Sequence, residues 1–541
     1  MAQARPGVQL SSPQHGPDRS CAANGISMRT FILYITLLIT SGAASAQSNF
    51  TRTNPPGPYP VGFRVVEQYD LSRAYRDATD PYTGEATSGT RARPIQTLIW
   101  YPAAHGTGVA MSAGNYLRLA ATADDFSQTA AERTRLEAAY LDSRVSVLTP
   151  QRGQAELAAV MMARRDARAS VGKFPVIIYA PSFRAPAFEN ADLCEYLASQ
   201  GYVVIASPST GQGPDGMKDD LEGVEAQVDD IQYLIGYAHT LPQADILHLA
   251  VMGYSWGGLA NVMAAAKDSR IGALVSLDGS VRSYPDVIDQ SRFLTPDRIT
   301  AALLYLAATP RQIEDLPADM NQDRSFLNRI KYADLYRVTL APYVHANFSV
   351  MLGQRFLPDN SYGNYDKAEL STANGWLETY VRRFLDAYLK GDTAGRAFLT
   401  LPADRTGAPA HLFTVYQRMA QGNPPTRAAF AASLARDGFD HASASYAEFR
   451  KHNPAFTLSD DELNAWGYKL LRNGNVSRSV AIFRLNCELH PESSNAFDSL
   501  GEAYARVGNK ASAIEAYRRS LALNPGNGNA ADQLKTLGAT P

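Results

Sequence analysis

Short apolar runs alternate with amphipathic segments through the middle of the chain. The apolar runs are rich in Val, Ile, Leu and Ala and have the length of buried strands; they lie at residues 176–179, 202–206, 249–252, 271–277, 301–307 and 335–340. Segments with helical spacing lie at residues 191–200, 221–240, 259–267 and 376–389. Strands that alternate with helices predict a mostly parallel sheet with helices on both faces. The expected fold class is therefore α/β.

The residues before this core predict two more strands and a helical insertion. Residues 61–69 and 95–101 alternate apolar and polar side chains, as half-buried strands do. Residues from about 115 to 168 carry Ala and Leu at helical spacing and contain little Gly. We therefore predict one domain over residues 55–395, in which the insertion shapes the pocket or covers the sheet.

The pattern becomes all-helical after about residue 395, and a 34-residue repeat emerges there. Trp466-Gly467, Gly474, Phe483 and Pro491 recur as Leu500-Gly501, Gly508, Tyr517 and Pro525, which is the tetratricopeptide period. A more degenerate copy precedes them, with Ala442, Tyr446 and Pro454 in the matching places. We predict a linker at residues 396–425 and repeats at 426–541, closed by a helix at 529–538. Whether these repeats bind a protein partner or dock on the first domain stays open.

The first 46 residues predict an export signal. Residues 1–27 are polar and irregular; Met28-Arg29 then gives a basic start, residues 31–40 form an apolar run, and Ala44-Ser45-Ala46 forms an A-x-A site. Since such a signal begins at the N-terminus, we expect Met28 to be the true start and cleavage to precede Gln47. The apolar run is too short to span a bilayer, so no transmembrane helix is expected in the mature protein. The expected destination is the periplasm or the medium; a buried amphipathic helix is the alternative.

Composition narrows the function classes. The chain has 541 residues, of which 45% are hydrophobic, and a formal net charge of −2. This charge gives no electrostatic reason to expect a nucleic-acid partner. The three cysteines, Cys21, Cys194 and Cys487, lie far apart without the spacing of a zinc site or a disulfide framework.

One stretch carries the strongest chemical signal. The sequence Gly253-Tyr254-Ser255-Trp256-Gly257 follows an apolar strand and precedes an Ala-rich helix. This strand–turn–helix context is what a G-x-S-x-G nucleophile elbow requires, because the turn leaves no room for side chains two residues either side of the serine. We predict that Ser255 is a nucleophile; an ordinary glycine-rich turn is the alternative.

A serine nucleophile needs a base and an acid. In chains with such an elbow the serine comes first, the acid follows it, and the histidine base comes last. His345 fits the base, because it lies in a loop after the strand at 335–340. Asp278 ends the strand after the elbow and is the preferred acid, while Glu314 and Asp315 after the next strand are the alternatives. The acid would hold the imidazole tautomer and stabilise the imidazolium.

Acyl transfer also needs donors for a tetrahedral oxyanion. The backbone N–H of Trp256, the residue after the serine, is one candidate. The second is expected from the loop after the strand at 176–179, where Pro181 has no N–H and leaves Ser182 or Phe183. We favour Phe183, whose ring could also form a wall of the pocket; a plain surface loop is the alternative.

These motifs resemble those of the α/β-hydrolases, in particular the platelet-activating-factor acetylhydrolase-like and dienelactone hydrolase-like branch. The matching stretches are Gly253 to Gly258, Ser276-Leu277-Asp278-Gly279 and Val344-His345-Ala346-Asn347-Phe348, together with Pro60 to Arg64 and Trp100 to Ala103. The resemblance covers residues 55–390 and implies an acid one strand earlier than usual, which supports Asp278. It also implies hydrolysis of carboxylic esters through an acyl-serine, without a metal or organic cofactor.

The resemblance has limits. Pro181-Ser182-Phe183 stands where that branch usually has His-Gly-x, and Ser207-Pro208-Ser209 stands where an acidic residue is common. The leading expectation is an exported serine hydrolase that acts on a small-molecule ester. Hydrolysis of amides or peptides by the same triad, and an inactive scaffold whose repeats bind proteins, are the alternatives.

Overall fold

A computed structural model of the protein describes residues 48–308, 324–358, 363–422, 424–454 and 456–540. Its strands are β1 (Val61–Ala74), β2 (Ala92–Pro102), β3 (Val109–Ser112), β4 (Val160–Arg165), β5 (Phe174–Ala180), β6 (Val203–Ala206), β7 (Ala244–Tyr254), β8 (Ile271–Leu277), β9 (Ala302–Ala308), β10 (Leu335–Leu340) and β11 (Phe413–Arg418). They form one sheet in the order β11-β10-β9-β8-β7-β5-β6-β2-β1-β4-β3. The export signal predicted at residues 1–46 and the alternative acids Glu314 and Asp315 lie outside the described residues.

The centre of the sheet is parallel, as predicted. Strands β6, β5, β7, β8, β9 and β10 run side by side in one direction, flanked by antiparallel β2 and β11. Ala180 of β5 lies opposite Gly253 of β7, and Tyr254 of β7 lies opposite Leu277 of β8. The carboxyl ends of these three strands therefore meet at one edge, where open α/β sheets place their ligands.

Helices cover both faces of the sheet. The helices of the first domain are α1 (Ala113–Arg118), α2 (Ala130–Val145), α3 (Pro150–Ala158), α4 (Ala191–Ser199), α5 (Leu221–Ala238), α6 (Trp256–Lys267), α7 (Pro285–Gln290), α8 (Phe326–Arg329), α9 (Lys367–Leu389) and α10 (Thr393–Leu399). Helices α4 and α9 pack into the core of one face, and α5 and α6 pack into the core of the other. Each face of the sheet thus buries an apolar layer, which explains the nearly continuous apolar runs of the central strands.

Two of the predicted segments contain a strand that the sequence pattern did not predict. The helical insertion ends with α3, and β4 follows it, paired with β1 and β3. The region after residue 395 is not all-helical, because β11 adds an antiparallel edge strand to β10 within the predicted linker. Both strands are short and lie near the edges of the sheet. Their pairing partners are distant in the chain, so the local pattern did not reveal them.

The C-terminal region consists of stacked helix pairs. Its helices are α11 (Arg427–Asp437), α12 (Ala442–His452), α13 (Asp460–Arg472), α14 (Val476–Leu489), α15 (Ser494–Val507), α16 (Lys510–Leu523) and α17 (Gly528–Thr536). A Cβ added at Gly467 would lie 2.4 Å from the Phe483 ring, and one at Gly501 would lie 2.8 Å from the Tyr517 ring. The same glycine-on-aromatic contact therefore recurs 34 residues later, which gives the predicted period a packing cause.

Among the described residues, the repeats and the first domain share at least one polar contact. The Tyr332 hydroxyl donates to the Asn453 side chain at 3.4 Å. A cleft of about 800 Å³ separates Arg298 of the first domain from Trp466 and Lys469 of α13. Across the part of the chain that is described, none of the helices is long and apolar enough to traverse a bilayer.

Candidate active site

The turn between β7 and α6 presents Ser255 in a strained conformation. Its backbone has φ 52° and ψ −115°, a region that a residue with a side chain seldom adopts. A Cβ at Gly253 would lie 2.0 Å from the Gly257 carbonyl oxygen, and a Cβ at Gly257 would lie 2.0 Å from that of Ala180. Only glycine fits at either position. The turn is fixed further by the Ser255 N–H, which donates to Leu277 at 3.1 Å.

His345 begins a short 3-10 helix, His345–Phe348, after β10. The Tyr254 hydroxyl donates to the His345 carbonyl at 2.9 Å, and the two rings lie 5.2 Å apart. The buried Asn347 side chain accepts from the Val344 N–H at 2.8 Å, while Phe348 packs on Tyr343. The His-x-Asn-Phe sequence therefore has a local function, because its Asn and Phe hold the loop that carries the imidazole.

Asp278 follows β8 directly and is 8% exposed. Its N–H donates to the Leu306 carbonyl at 2.7 Å, and its Oδ1 accepts from the Ala308 N–H at 3.0 Å. Both partners belong to β9, so the carboxylate is aligned by the neighbouring strand. The second oxygen, Oδ2, remains for His345.

The three predicted side chains form one hydrogen-bonded chain. Ser255 Oγ lies 2.8 Å from His345 Nε2, and His345 Nδ1 lies 2.7 Å from Asp278 Oδ2. A carboxylate can only accept, so Nδ1 carries the proton and Nε2 is left to accept from the serine hydroxyl. This is the geometry required for a histidine that takes a proton from a nucleophile while a carboxylate orients it.

Backbone strain is concentrated at this edge of the sheet. In the described residues, four non-glycine residues have positive φ: Asp166, Arg184, Ser255 and Asp278. Three of these four lie at the strand ends that form the site. Such strain persists only where surrounding contacts enforce it, and it clusters at functional sites.

The loop after β5 lies on the other side of Ser255. The Ser182 N–H, one of the two predicted oxyanion donors, already donates to Glu189 Oε2 at 2.8 Å. The Phe183 N–H donates to no acceptor among the described residues, nor does the Trp256 N–H at the start of α6. Of the alternatives considered, the structure thus leaves the amides of Phe183 and Trp256 free for a ligand.

Aromatic side chains line the same side. The Phe183 ring meets the Trp256 ring edge-on at 5.6 Å, and Trp256 meets Tyr284 edge-on at 5.1 Å. Phe183 is 38% exposed, and Val344, next to His345, is 55% exposed. Phe183 and Val344 thus expose apolar surface near Ser255 and His345, which suits an uncharged ligand, while the Arg184 guanidinium lies 5.4 Å from the centre of the Phe183 ring.

Sequence reasoning missed Glu189, a buried carboxyl group beside the site. Besides the Ser182 N–H, it accepts from the Ser182 hydroxyl at 2.6 Å and from the Tyr179 hydroxyl at 3.2 Å. Burial raises the pKa of Glu189 to about 7. In the sequence, Glu189 is a single acid before an apolar helix, where acids are common for reasons of helix capping. Its role became visible only when its partners were placed.

No metal-binding arrangement is evident where the structure can be described. There, no group of three or more His, Cys, Asp or Glu side chains is placed to hold a metal ion. The polar groups at the strand ends are a hydroxyl, an imidazole, a carboxylate and backbone amides, which together move protons and stabilise negative charge.

Comparison with known proteins assigns the family. The sequence pattern of the X-Pro dipeptidyl-peptidase (S15 family) matches residues 94–401, more than half of the chain. The chain belongs to this family. A tetratricopeptide repeat matches residues 494–527. The fold is thus the predicted α/β-hydrolase fold followed by tetratricopeptide-type repeats.

Individual relatives are more distant. The bis(hydroxyethyl) terephthalate hydrolase of Streptomyces coelicolor is 28% identical over 196 residues, 36% of this chain and 60% of that protein. Hydrolase LUC6 of a Fusarium species is 34% identical over 135 residues, 23% of this chain and 30% of that protein. The chain therefore spans less than two thirds of either relative. A ferulic acid esterase structure from Streptomyces cinnamoneus superposes with a TM-score of 0.48 at 18% identity, covering 69% of this chain and 99% of that one.

Proposed function

We propose that this protein is a serine hydrolase that cleaves carboxylic esters, with Ser255 as nucleophile, His345 as general base and acid, and Asp278 as the orienting acid. The observation that carries the proposal is the unbroken chain of hydrogen bonds from Ser255 through His345 to Asp278, at 2.8 and 2.7 Å. The exposed His345 ring and the free amides of Phe183 and Trp256 support it, because the reaction needs a base that substrate can reach and donors for the oxyanion.

With this arrangement the reaction takes two steps, acylation of Ser255 and hydrolysis of the acyl-serine. Ser255 Oγ attacks the ester carbonyl carbon while its proton passes to His345 Nε2, and the Phe183 and Trp256 amides stabilise the oxyanion. The C–O bond to the alcohol breaks, and His345 returns the proton to the leaving oxygen. Water then attacks the acyl-serine and gives a proton to His345. The bond between the acyl carbon and Ser255 Oγ breaks, His345 returns the proton to Oγ, and the acid leaves.

The family favours a second candidate, the release of X-Pro dipeptides from peptides. That reaction requires recognition of a free N-terminal ammonium group, for which an accessible carboxylate is the natural partner. Glu189, the carboxyl group beside the oxyanion loop, is 3% exposed and already accepts from three donors. The apolar flank formed by Phe183 and Val344 also suits an uncharged ester better, so we place ester hydrolysis first.

Aromatic esters are the substrate class that we propose to examine first. The relative from Streptomyces coelicolor is named for an ester of terephthalic acid, an aromatic diacid. Phe183 is partly exposed and its ring is held edge-on by the buried Trp256 ring, so a substrate ring could pack against Phe183.

We also propose that the protein is exported and that its repeats contact a protein partner; the match of residues 494–527 to a tetratricopeptide repeat supports the second part. Export is supported by the apolar run at residues 31–40 and by Ala44-Ser45-Ala46. Asn49 lies after this site, and its side chain donates to the Arg355 carbonyl at 2.9 Å, so cleavage before Gln47 would keep this contact with the domain. N-terminal sequencing of the protein recovered from the periplasm and the medium tests the export proposal, and an unprocessed cytoplasmic product contradicts it.

Turnover of matched substrates tests the enzymatic proposal. The chain from Gln47 and its Ser255→Ala variant are assayed with p-nitrophenyl esters from acetate to dodecanoate, bis(hydroxyethyl) terephthalate, and glycyl-prolyl p-nitroanilide. We expect Ser255-dependent ester hydrolysis that exceeds anilide cleavage in kcat/KM. Preferred cleavage of the anilide would support the dipeptidyl-peptidase alternative. Equal rates for both proteins on every substrate would contradict a Ser255 hydrolase.

A further inference from the structure

The loop that carries the Phe183 amide is hydrogen-bonded to one buried carboxyl group, that of Glu189. Glu189 Oε2 accepts from the Ser182 N–H at 2.8 Å, and Oε1 accepts from the Ser182 hydroxyl at 2.6 Å. Tyr179, in β5, donates to Oε2 at 3.2 Å. Both groups that Ser182 can donate therefore end on the same side chain, one residue before the free amide.

Other contacts fix the loop at its two ends. The buried Gln227 side chain of α5 donates to the Pro181 carbonyl at 2.8 Å. Arg184, with φ 57°, donates through Nε to the Met217 carbonyl at 3.0 Å. The peptide that joins Ser182 to Phe183 lies between these anchors. Its carbonyl accepts from the Ala185 N–H at 3.2 Å, so its orientation, and hence the direction of the Phe183 N–H, depends on this turn and on the Ser182 anchor together.

The backbone of Glu189 reaches the other half of the site. Its carbonyl accepts from the Ser349 hydroxyl and from the Met351 N–H, both at 3.3 Å. These residues follow the 3-10 helix that begins with His345. One residue thus connects the loop of the oxyanion donor with the segment that carries the base.

We propose that ionised Glu189 is a positioning residue that orients the oxyanion loop through Ser182, so that loss of its charge weakens oxyanion stabilisation. This inference rests on the proposed function. A carboxylate offers an acceptor to both Ser182 groups at once, whereas a protonated carboxyl must use one oxygen as a donor. Protonation therefore removes or reverses one of the two Ser182 hydrogen bonds.

The groups that face Glu189 determine the pH at which it ionises. Tyr179 and Ser182 donate to it, His345 favours its charged form, and the hydroxyl groups of Tyr254 and Tyr140 lie close enough to interact with it electrostatically. Burial is the largest influence and raises its pKa to about 7. The change of Glu189 from its neutral to its charged form accordingly falls in a pH range where the activity of the protein can be assayed.

The test compares kcat/KM of the wild type with that of Glu189→Gln from pH 5.5 to 9, using a detection method that is independent of pH. We expect the wild type to exceed the variant about tenfold above pH 8, as part of an oxyanion contribution of 10²–10³. The ratio should fall towards one below pH 6, with a midpoint near 7 and similar KM values. A ratio near one throughout, or one that does not change with pH, overturns the inference.

Glu195→Gln is the matched control. Glu195 is 1% exposed, and burial raises its pKa to about 7, as it does for Glu189. It accepts from the Tyr116 hydroxyl and the Met162 N–H, away from the oxyanion loop. Its wild-type-to-variant ratio should stay near one at every pH. A ratio for Glu195→Gln that follows the same curve would assign the effect to global stability and overturn the inference.

Ser182→Ala provides a second measurement if Glu189→Gln does not fold. The Ser182 hydrogen bonds lower the pKa of Glu189, so losing the hydroxyl should move the midpoint of the activity profile to higher pH. An unmoved midpoint overturns the inference. The Ser255→Ala variant distinguishes failure of the proposed function from failure of this inference. If Ser255→Ala retains wild-type turnover, the proposed function fails, and this inference fails with it. If only Ser255→Ala loses activity, the inference alone fails.

Discussion

The nucleophile turn and the helical repeats both depend on glycines that make close contacts, but their neighbours differ. At Gly257 an added Cβ would meet the carbonyl oxygen of Ala180 at 2.0 Å, whereas at Gly501 it would meet the ring of Tyr517 at 2.8 Å. Backbone cannot move aside, while a side chain can shift at some cost. In the described parts of the repeats, no residue other than glycine has a positive φ, whereas Ser255 and Asp278 both do.

This comparison separates strain that serves chemistry from packing that serves stability. At the strand ends, strained residues hold reactive groups in fixed positions, and local changes there should alter rate more than stability. In the repeats, stability is the sum of similar units and their interfaces, so a local change should lower stability without altering rate. The following predictions test that division, beginning with the largest effect.

Replacement of Ser255 by Ala should lower kcat/KM by a factor of about 10⁴ or more, because no acyl-enzyme can form. The temperature of unfolding should change little, since the hydroxyl makes its hydrogen bond to the exposed side of His345. Steady-state kinetics and calorimetry on the same preparation check both statements. A large loss of stability in the variant would contradict the separation of strain from packing.

Replacement of Asp278 by Asn should lower kcat by about 10²–10⁴, because the amide can donate to Nδ1 and so stabilise the wrong imidazole tautomer. Asp268→Asn is the control, since Asp268 is a buried acid after α6 whose partner is Arg270. The control should keep its rate and lose some stability. Equal kinetic losses in the two variants would show that Asp278 has no special function.

Replacement of Gly501 by Ala should destabilise the repeats by about 1–3 kcal/mol, because the new methyl group overlaps the Tyr517 ring. Esterase activity should not change. Gly236→Ala is the matched control: Gly236 lies inside α5 with open space at its Cβ position, and Ala should stabilise that helix by about 0.8–1 kcal/mol. Urea unfolding followed by circular dichroism measures both effects, and a loss of activity in Gly501→Ala would link the two regions.

The pH dependence of stability gives the smallest expected effect. Burial raises the pKa of Glu195 from 4.5 to about 7, so between these values the folded state keeps a proton that the unfolded state has lost. The contribution of protonated Glu195 to the free energy of unfolding is fully present below pH 4.5. It is lost as pH rises to about 7, by roughly 1 kcal/mol per pH unit. Glu195→Gln should therefore gain stability relative to the wild type as pH rises from 5 to 7.5. A constant difference in the urea midpoint would contradict this sign.

Much of the fold could be predicted because its signals are local. The central strands are apolar throughout, and the turn at Ser255 has a glycine on each side where only glycine fits. Asp278 and His345 are expected from their places after strands. In the structure, His345 lies within hydrogen-bonding distance of both Ser255 and Asp278. Chain order and strand ends were sufficient because a parallel sheet collects its carboxyl ends at one edge.

The remainder depends on contacts that leave no local pattern in the sequence. Strand β11 is defined by its pairing with β10, about 70 residues earlier, and its own alternation is only six residues long. The support of the oxyanion loop comes from Glu189 and from Gln227, which lies on α5, 46 residues after Pro181. A single Glu or Gln has no sequence pattern, so its function emerges only from its partners.

Covalent labelling of Ser255 tests the central claim most directly. The chain from Gln47 is treated with a p-nitrophenyl alkylphosphonate, and the labelled peptide is identified by mass spectrometry, with His345→Ala treated in parallel. Our account predicts one phosphonate per chain, on Ser255, with loss of esterase activity in proportion to labelling and much slower labelling of His345→Ala. Full esterase activity with Ser255 unlabelled, or a label on another residue that tracks the loss of activity, would contradict it.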